Sequence, residues 1–550
     1  MQDIDLTKDI LSGKEIRAKL INGANKVANA VKSTLGPMGR NVILELNKYG
    51  DSRITKDGVS VAKEIFLEDK YENLGAQLLK KVSLKSAKDA GDGTTTSTVL
   101  AQSILTIADT LEIRNVHKFK EGMEAAAHDV VENIKLYYKK DIETIEDIYN
   151  VALISSNQDK EIAGLIQECY EKLGINKDVI INLDNSNCYS KSFVDVAQGF
   201  QYDKGLPSPY LVNNTRKMEL NLEDCNIFLF DFEIPDFDYL IPTITEYFKT
   251  TKEPLVIMAQ GFGGDSLDGI TQNKNKSNLP IYAIECPGYG SRRSLFIQDL
   301  AVLTNGTVLS KETGTAPSKP GEYASAVETG KLKSLVSNQF TTTLTFGYGN
   351  ADKIKEQIEM IQHSIDKNME FDVEEAERRI ANLTSGIAII HVGGTTELES
   401  KEAYDRFEDA VGAVRSALQE GIVPGGGIIL HMAQEITESP ERPDDKLDPL
   451  FDFALGYKTV LNSCKAPIQQ IFENAADPTL NTVISNCIQD DGAIKAYDLV
   501  NRQFTDNLID PVKVLRCALE NAVSVCGLIL STDVGIVYCK NLDVNSEIQM

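Results

Sequence analysis

The apolar pattern of this chain changes period twice, and that double change limits the architectures open to it. Within residues 14–34, Leu20, Ala24, Val27 and Val31 recur at i, i+4, i+7 and i+11, one face of a helix. Gly36-Pro37 stops that helix, and Asn41 to Leu46 reads as a short strand. A second helix aligns Leu74, Leu78 and Val82 and runs out at Ala90-Gly91-Asp92-Gly93. A third begins at the threonines that follow, with Leu100, Ile104, Ala108 and Leu111 on one face. From about residue 180 to 350 the apolar runs become short: Val179 to Ile181, Ile227 to Phe230, Leu255 to Met258 and Thr341 to Phe346. Gly, Pro and Asn separate them, as they separate the strands of a mixed α/β unit. A charged helix over 352–382 turns Ile354, Ile358, Ile361 and Ile365 inward, and Ile387 to Val392 is another strand. Helical periodicity then returns from about 405 to 535.

With 550 residues the chain is too long for one hydrophobic core. The economical plan is a discontinuous helical domain with an α/β domain inserted into it, an arrangement tolerated where entry and exit lie close together. The formal net charge of −25 repels phosphate backbones and counts against general nucleic-acid binding. No run of about 18 apolar residues stands out, so no helix is expected to span a membrane. Met1 to Asp5 is acidic and lacks the apolar stretch of a secretory signal. Nine scattered cysteines without C-x-x-C, and five histidines without H-E-x-x-H, do not suggest a disulfide framework or a zinc site. A reducing compartment fits that usage.

The chemistry-bearing segment is Gly91-Asp92-Gly93-Thr94-Thr95-Thr96. Two glycines let backbone N–H groups turn towards a ligand, and the helix that follows offers unpaired donors and the positive end of its dipole. Three threonines add hydroxyls, and Asp92 can give one carboxylate to magnesium, with phosphate oxygens and water as the other ligands. A plain helix cap is the alternative. No G-x-x-x-x-G-K-[ST] pattern occurs, so this is not a P-loop. Three other turns could border a nucleotide: Thr34-Leu35-Gly36-Pro37, Thr55-Lys56-Asp57-Gly58, and Gly421 to Gly427 with its Gly425-Gly426-Gly427 run.

In order and spacing, T-L-G-P-x-G-R-N from Thr34, T-K-D-G-V-S-V-A from Thr55, G-D-G-T-T-T from Gly91, E-G-I-V-P-G-G-G from Glu420 and I-D-P-V-K-V from Ile509 resemble the group I chaperonins, the GroEL family. Glu68 to Ala76, Tyr202 to Tyr210 and Pro287 to Arg293 extend the resemblance, which covers about residues 7 to 535. The fold it implies is multidomain, α and α/β. A mainly helical equatorial domain would be built from 1–138 and 420–550, a small intermediate domain from 139–197 and 387–419, and an inserted α/β apical domain from 198–386.

The same resemblance implies an ATP-driven chaperone. Carried over position by position, Thr34, Leu35, Gly36, Pro37, Lys56 and Gly58 would border ATP, with Gly93, Thr94, Thr95 and Thr96 on its phosphates. Asp92 would hold Mg2+, with K+ as an optional companion; Gly426 and Asp510 would meet the ribose. Asp409 would be the hydrolytic carboxylate and Asp57 the second one near the attacking water. Leu206, Tyr210, Leu211, Ile241, Ile244 and Leu267 match the apical surface that captures non-native polypeptide. The implied assembly is a homo-oligomeric ring, usually seven-membered, single or double, in a bacterial cytoplasm. A virus-encoded origin is consistent with the divergence, and an organelle matrix fits less well.

Four departures mark that divergence. Thr271 and Gln272 stand where the family is usually aliphatic, and the polar run Gln272 to Asn278 puts a lid co-chaperonin in doubt. Ala493-Ile494-Lys495-Ala496-Tyr497 differs from the usual adenine-contacting segment, and the end, Asn545 to Met550, lacks the bacterial Gly-Met tail. Pro424 precedes the glycine run where a small residue is usual. Two other functions compete: a degenerate chaperonin acting as holdase or scaffold, and a magnesium-dependent phosphotransferase, for which no acceptor motif is found.

Overall fold

The structure is a computed structural model. It describes residues 8–45, 52–175, 179–215, 217–288, 290–310, 314–315, 329–346, 348–366, 376, 379–380, 382–383, 386–488 and 493–538. Leu46, at the end of the expected first strand, Tyr289 in the matched Pro287 to Arg293 motif, Cys539 and both chain ends lie outside these residues.

The largest core joins the two ends of the sequence. Helices Gly13–Val31, Lys70–Ala90, Thr94–Asp109 and Val116–Tyr137 pack with Ile428–Ile436, Pro449–Ser463 and Val512–Ser531. Strands Lys8–Ser12 and Val534–Tyr538 pair antiparallel beside them. By length and composition Val512–Ser531 is apolar enough to cross a membrane. Here it is instead the centre of the core, burying Leu515, Leu519, Val523, Ile529 and Leu530. Its Cys526 and six other described cysteines are free and buried.

Two helix pairs approach so closely that only glycine fits. A Cβ on Gly75 would lie 2.0 Å from the carbonyl oxygen of Leu20, and one on Gly23 would lie 1.8 Å from that of Glu72. Gly122 and Gly456 repeat the arrangement against Phe453 and Phe119, each 2.0 Å from the facing oxygen. In both pairs the glycine of one helix receives the backbone of the other, so the axes are locked from both sides.

The middle of the chain builds a nine-stranded sheet among the described residues. The Leu220–Ile234, Leu255–Phe262 and Ile281–Glu285 strands run parallel, and apolar residues cover both their faces. Ile227, Leu229, Val256, Met258 and Ile284 face one core; Phe228, Phe230, Leu255, Ile257 and Ala283 face the other. That is why the sequence shows continuous apolar runs there and no alternation. The helix expected over 352–382 is described as Ala351–Asp366, with the helical residues Ala376, Arg379 and Ile380 beyond it.

A further core gathers Ile148, Ile166, Tyr170, Phe407 and Val414 from helices with Ala388 and Ile390 from the Gly386–Gly393 strand of the sheet. The chain crosses between these bodies on paired segments. Phe193–Tyr202 enters and Gly386–Gly393 leaves as antiparallel neighbours in one sheet. Lys140 and Ile422 form a second such crossing, exchanging N–H···O bonds of 2.9 and 2.7 Å. Entry and exit therefore sit side by side, as an insertion requires.

The glycine locks make a direct prediction. Gly75→Ala should lower the stability of the helical core by roughly 1–3 kcal/mol, the usual range for overpacking. Half-buried Gly164, whose added Cβ would meet nothing within 4 Å, serves as the control. Guanidinium denaturation of both variants, followed by circular dichroism, checks the difference.

Candidate functional site

Five elements from distant parts of the sequence, the Glu397–Glu420 helix among them, converge beside the helical core. The first follows Gly13–Val31, which tightens into a 3-10 turn over Lys32–Thr34. Gly36 then takes a left-handed φ of +82°, and a Cβ on Gly39 would fall 2.1 Å from the Thr34 carbonyl oxygen. The Asn474 amide clamps this turn by donating to the carbonyls of Lys32 and Leu35, both at 2.9 Å.

In the second turn Asp57 caps the Gly58–Glu64 helix, accepting from the N–H groups of Val59 and Ser60 at 2.9 and 2.8 Å. In the third, Lys70–Ala90 ends on Gly91 and Gly93 is the N-cap of Thr94–Asp109, with no side-chain cap. Asp92 therefore does not cap that helix in the usual sense. It accepts from the Gly93 N–H and from the Ser155 hydroxyl, the latter at 2.6 Å. The helix start stays open to a ligand.

The fourth element is the Glu397–Glu420 helix, which brings Asp409 to the same place. The fifth pairs Ile422–Pro424 with Ile509–Pro511, setting Val423 opposite Asp510. Gly426 and Gly427 donate their N–H groups to Asp510. Gly425 must lack a side chain because its Cβ would lie 2.8 Å from an Asp510 carboxylate oxygen.

These elements enclose one cavity of about 490 Å³. Thr34 to Pro37, Lys56 to Gly58, Asp92 to Thr96, Asp409, Gly426 and Asp510 all line it. The sequence reading missed Ser155 and Asp405, which line it too; nothing in their local sequence distinguishes them from other helix residues. It also missed most of the apolar end, formed by Pro467, Ile471, Phe472, Leu499 and Leu508. Of the run Ala493 to Tyr497 only Tyr497 reaches the wall, its ring stacked on Phe472 at 6.2 Å and 23°.

The cavity is divided electrically as well as chemically. Protein surrounds Asp409, and burial raises its carboxyl well above the usual range. Repulsion from Asp92, Asp57, Glu408 and Asp405 adds to that rise. Asp92 is raised by burial and by Asp57, against the Ser155 and Gly93 hydrogen bonds. Asp510 is pushed up to about 6 by burial and by Asp92. No group of three or more metal-ligating side chains occurs among the described residues. A metal here would take one carboxylate, from Asp92, and the remaining ligands from phosphate and water, which suits Mg2+.

The residues expected on the client-capturing surface divide. Tyr210 and Ile241 are 69% and 43% exposed, and Leu206 and Leu267 are half-buried. Leu211 and Ile244 correct the expectation: both are buried in the core beneath the parallel strands. Ile244 shares the inward face of Ile241–Thr250 with Tyr247, one helical turn on. The Ser266–Ser277 helix buries only Ser266 and Ile270 and turns Asp268, Gln272, Asn275 and Lys276 outward.

The raised pKa of Asp510 has a measurable consequence. Its folded carboxyl, at about 6 against 3.8 for an unperturbed aspartate, binds more protons than the unfolded one between those values. Stability conferred by this group is therefore present at low pH, lost as pH rises through that window, and absent above it. Asp510→Asn should make the nucleotide-free protein more stable at pH 8, by up to roughly 3 kcal/mol, and no different below pH 4. Thermal melts across that pH range test it.

Over nearly its whole length the chain matches known proteins. Residues 27–540 match the model of the TCP-1/cpn60 chaperonin family. Among solved structures it resembles the chaperonin gp146 from the bacteriophage EL 2 (Pseudomonas aeruginosa), determined in presence of ATP-BeFx. Crystal form II superposes with a TM-score of 0.65 at 22% identity, covering 96% of this chain and 99% of that one. Crystal form I gives 0.61 with the same identity and coverage. The matched span contains every element that walls the cavity, and on that ground the chain belongs to the TCP-1/cpn60 chaperonin family.

Proposed function

We propose that this chaperonin binds Mg-ATP in the carboxylate-lined cavity and hydrolyses it to drive a cycle of capture, enclosure and release of non-native polypeptide. One observation carries the reading: Asp92 and Asp409, far apart in sequence, meet in one cavity at an uncapped helix start. Support comes from the phage relative, studied with an ATP analogue.

The apolar end takes the base, with Tyr497 and Phe472 beside it. The glycine run and Asp510 take the sugar, and the Thr94 helix start takes the phosphates. Lys56 adds a cation on that wall. Magnesium, when bound at Asp92, neutralises phosphate charge and relieves the repulsion among the carboxylates. Asp57 has its oxygens engaged in capping, so it shapes the field and holds the turn. Asp409 is the carboxylate placed to orient water towards the γ-phosphate, a role that uses its ionised form. Clients bind on apolar side chains around Tyr210 and Ile241, which bury area without demanding a sequence. The assembly is a homo-oligomeric ring, and the polar outer face of Ser266–Ser277 favours a cycle that dispenses with a lid.

Asp409→Ala should leave ATP affinity nearly intact and slow hydrolysis by roughly a hundredfold or more, the scale of a general-base loss. Asp92→Ala should instead weaken Mg-nucleotide binding at least about tenfold, a loss of roughly 1.4 kcal/mol. Titration calorimetry and single-turnover phosphate release separate the two. Wild-type turnover in Asp409→Ala refutes the assignment. Client binding with no hydrolysis in the native protein identifies a holdase or scaffold.

A further inference from the structure

Three consecutive residues of the Glu397–Glu420 helix are tied to three different parts of the molecule. Tyr404 accepts from the Lys217 ammonium at 3.0 Å, and that ammonium also lies 4.1 Å over its ring. Arg406 donates to Asp159 at 2.7 Å. Between them, Asp405 is paired with the guanidinium of Arg53. Arg53 stands on the hairpin of Val42–Glu45 and Ser52–Thr55, opposite Leu44. Two residues on along the same strand is Thr55, which lines the cavity; strand alternation puts Arg53 on that same face, further out. Arg53 does not itself line the cavity.

The position of this pair along the helix matters. At its other side the helix touches the helical core backbone to backbone: a Cβ on Gly91 would lie 2.5 Å from Gly412 Cα. The Ser416 hydroxyl also donates to the Ala90 carbonyl at 2.6 Å. That contact is a pivot. Asp405 lies about 10 Å along the axis from Gly412, and Asp409 falls between them, about 4–5 Å from the pivot. The carboxylates facing each other across this junction repel: Asp409 against Asp92 and Asp57, and Asp405 against Asp57. The Arg53–Asp405 pair is attractive, and both side chains are mostly buried, 15% and 26% exposed, where such attraction is less screened.

We propose that Arg53 is a positioning residue for ATP hydrolysis: its pair with Asp405 clasps this stretch of the helix against the hairpin and holds Asp409 at the phosphate end of the cavity. The inference rests on the reading of Asp409 as the hydrolytic carboxylate. Without the guanidinium, Asp405 faces Asp57 with less compensation, the helix tilts about Gly412, and Asp409 moves away while the nucleotide-contacting turns stay in place. Hydrolysis and binding therefore separate.

The test uses the full-length assembly, with mass and thermal melts recorded for every variant. Arg53→Gln should lower single-turnover phosphate release at saturating ATP by roughly tenfold, with ATP affinity within about twofold of wild type. Arg53→Lys, which keeps the charge, should recover at least half of the wild-type rate. The exchange R53D/D405R should return the rate to within about threefold, which a merely structural arginine would not do. Asp405→Asn should slow hydrolysis in the same direction, and it decides the matter if Arg53→Gln fails to assemble. Arg53→Gln or, in that case, Asp405→Asn turning over within twofold of wild type overturns the proposal, as does a parallel loss of affinity or no recovery in the exchange. If wild type hydrolyses and Asp409→Ala does not, such a result sinks the clasp alone. If Asp409→Ala turns over normally, or wild type does not hydrolyse, the reading of Asp409 falls and the clasp falls with it.

Discussion

Carboxyl groups brought together inside protein repel one another, and the arrangement around this cavity follows from how that repulsion is contained. Asp92, Asp409 and Asp510 come from three separate segments, and burial and mutual repulsion hold the pKa of all three above the ordinary carboxylate range. The Ser155 hydroxyl and the N–H groups of Gly93, Gly426 and Gly427 offset part of that cost. A cation bound between phosphate and Asp92 would offset more. The same charges that favour a metal–polyphosphate ligand push the Glu397–Glu420 helix away when nothing counters them, so ligand chemistry and helix position share one electrostatic cause.

Packing distributes rigidity unevenly around this site. The helical core is locked by glycines that admit the backbone of a neighbouring helix, at Gly23 and Gly75 and again at Gly122 and Gly456. Such contacts leave little room for sliding. The connections out of that core are slender by comparison: a Lys140–Ile422 bridge, and one antiparallel pair further out. The cavity-lining turns sit on the stiff side, and Asp409 sits on a segment reached through the slender one.

Much of this was legible in the sequence, for identifiable reasons. The helix faces around Leu20 and Leu100 follow a 3.6-residue period because one side of each packs on the core, and the structure buries those residues. Gly91 to Thr96 was readable because left-handed glycines at a helix start leave few alternatives. The expected client surface was read less well. A buried Leu211 and an exposed Tyr210 are adjacent in sequence, and only the tertiary fold decides which side of the chain faces out. Asp405 and Ser155 gave no local signal, since their partners Arg53 and Asp92 are distant in the sequence. The paired strands Lys8–Ser12 and Val534–Tyr538 went unread because each is short and mostly exposed, and each, among the described residues, is paired only with the other.

That closure between the two ends has a consequence for synthesis. A ribosome delivers the chain from its amino end, and domains fold as their residues emerge. The helices before residue 138 leave the ribosome with an unfinished core, since Val512–Ser531 fills its centre. The parallel strands of the middle, by contrast, have their covering residues within the same stretch of chain. The inserted unit is therefore able to fold while the helices that flank it in sequence still wait for their partners. The cavity, walled by Asp92 from the early segment and Asp510 from the late one, comes into being only after residue 510 has been made. A nascent chain that stops short of Asp510 lacks part of the cavity wall, so no ligand of the finished cavity can stabilise it in the same way.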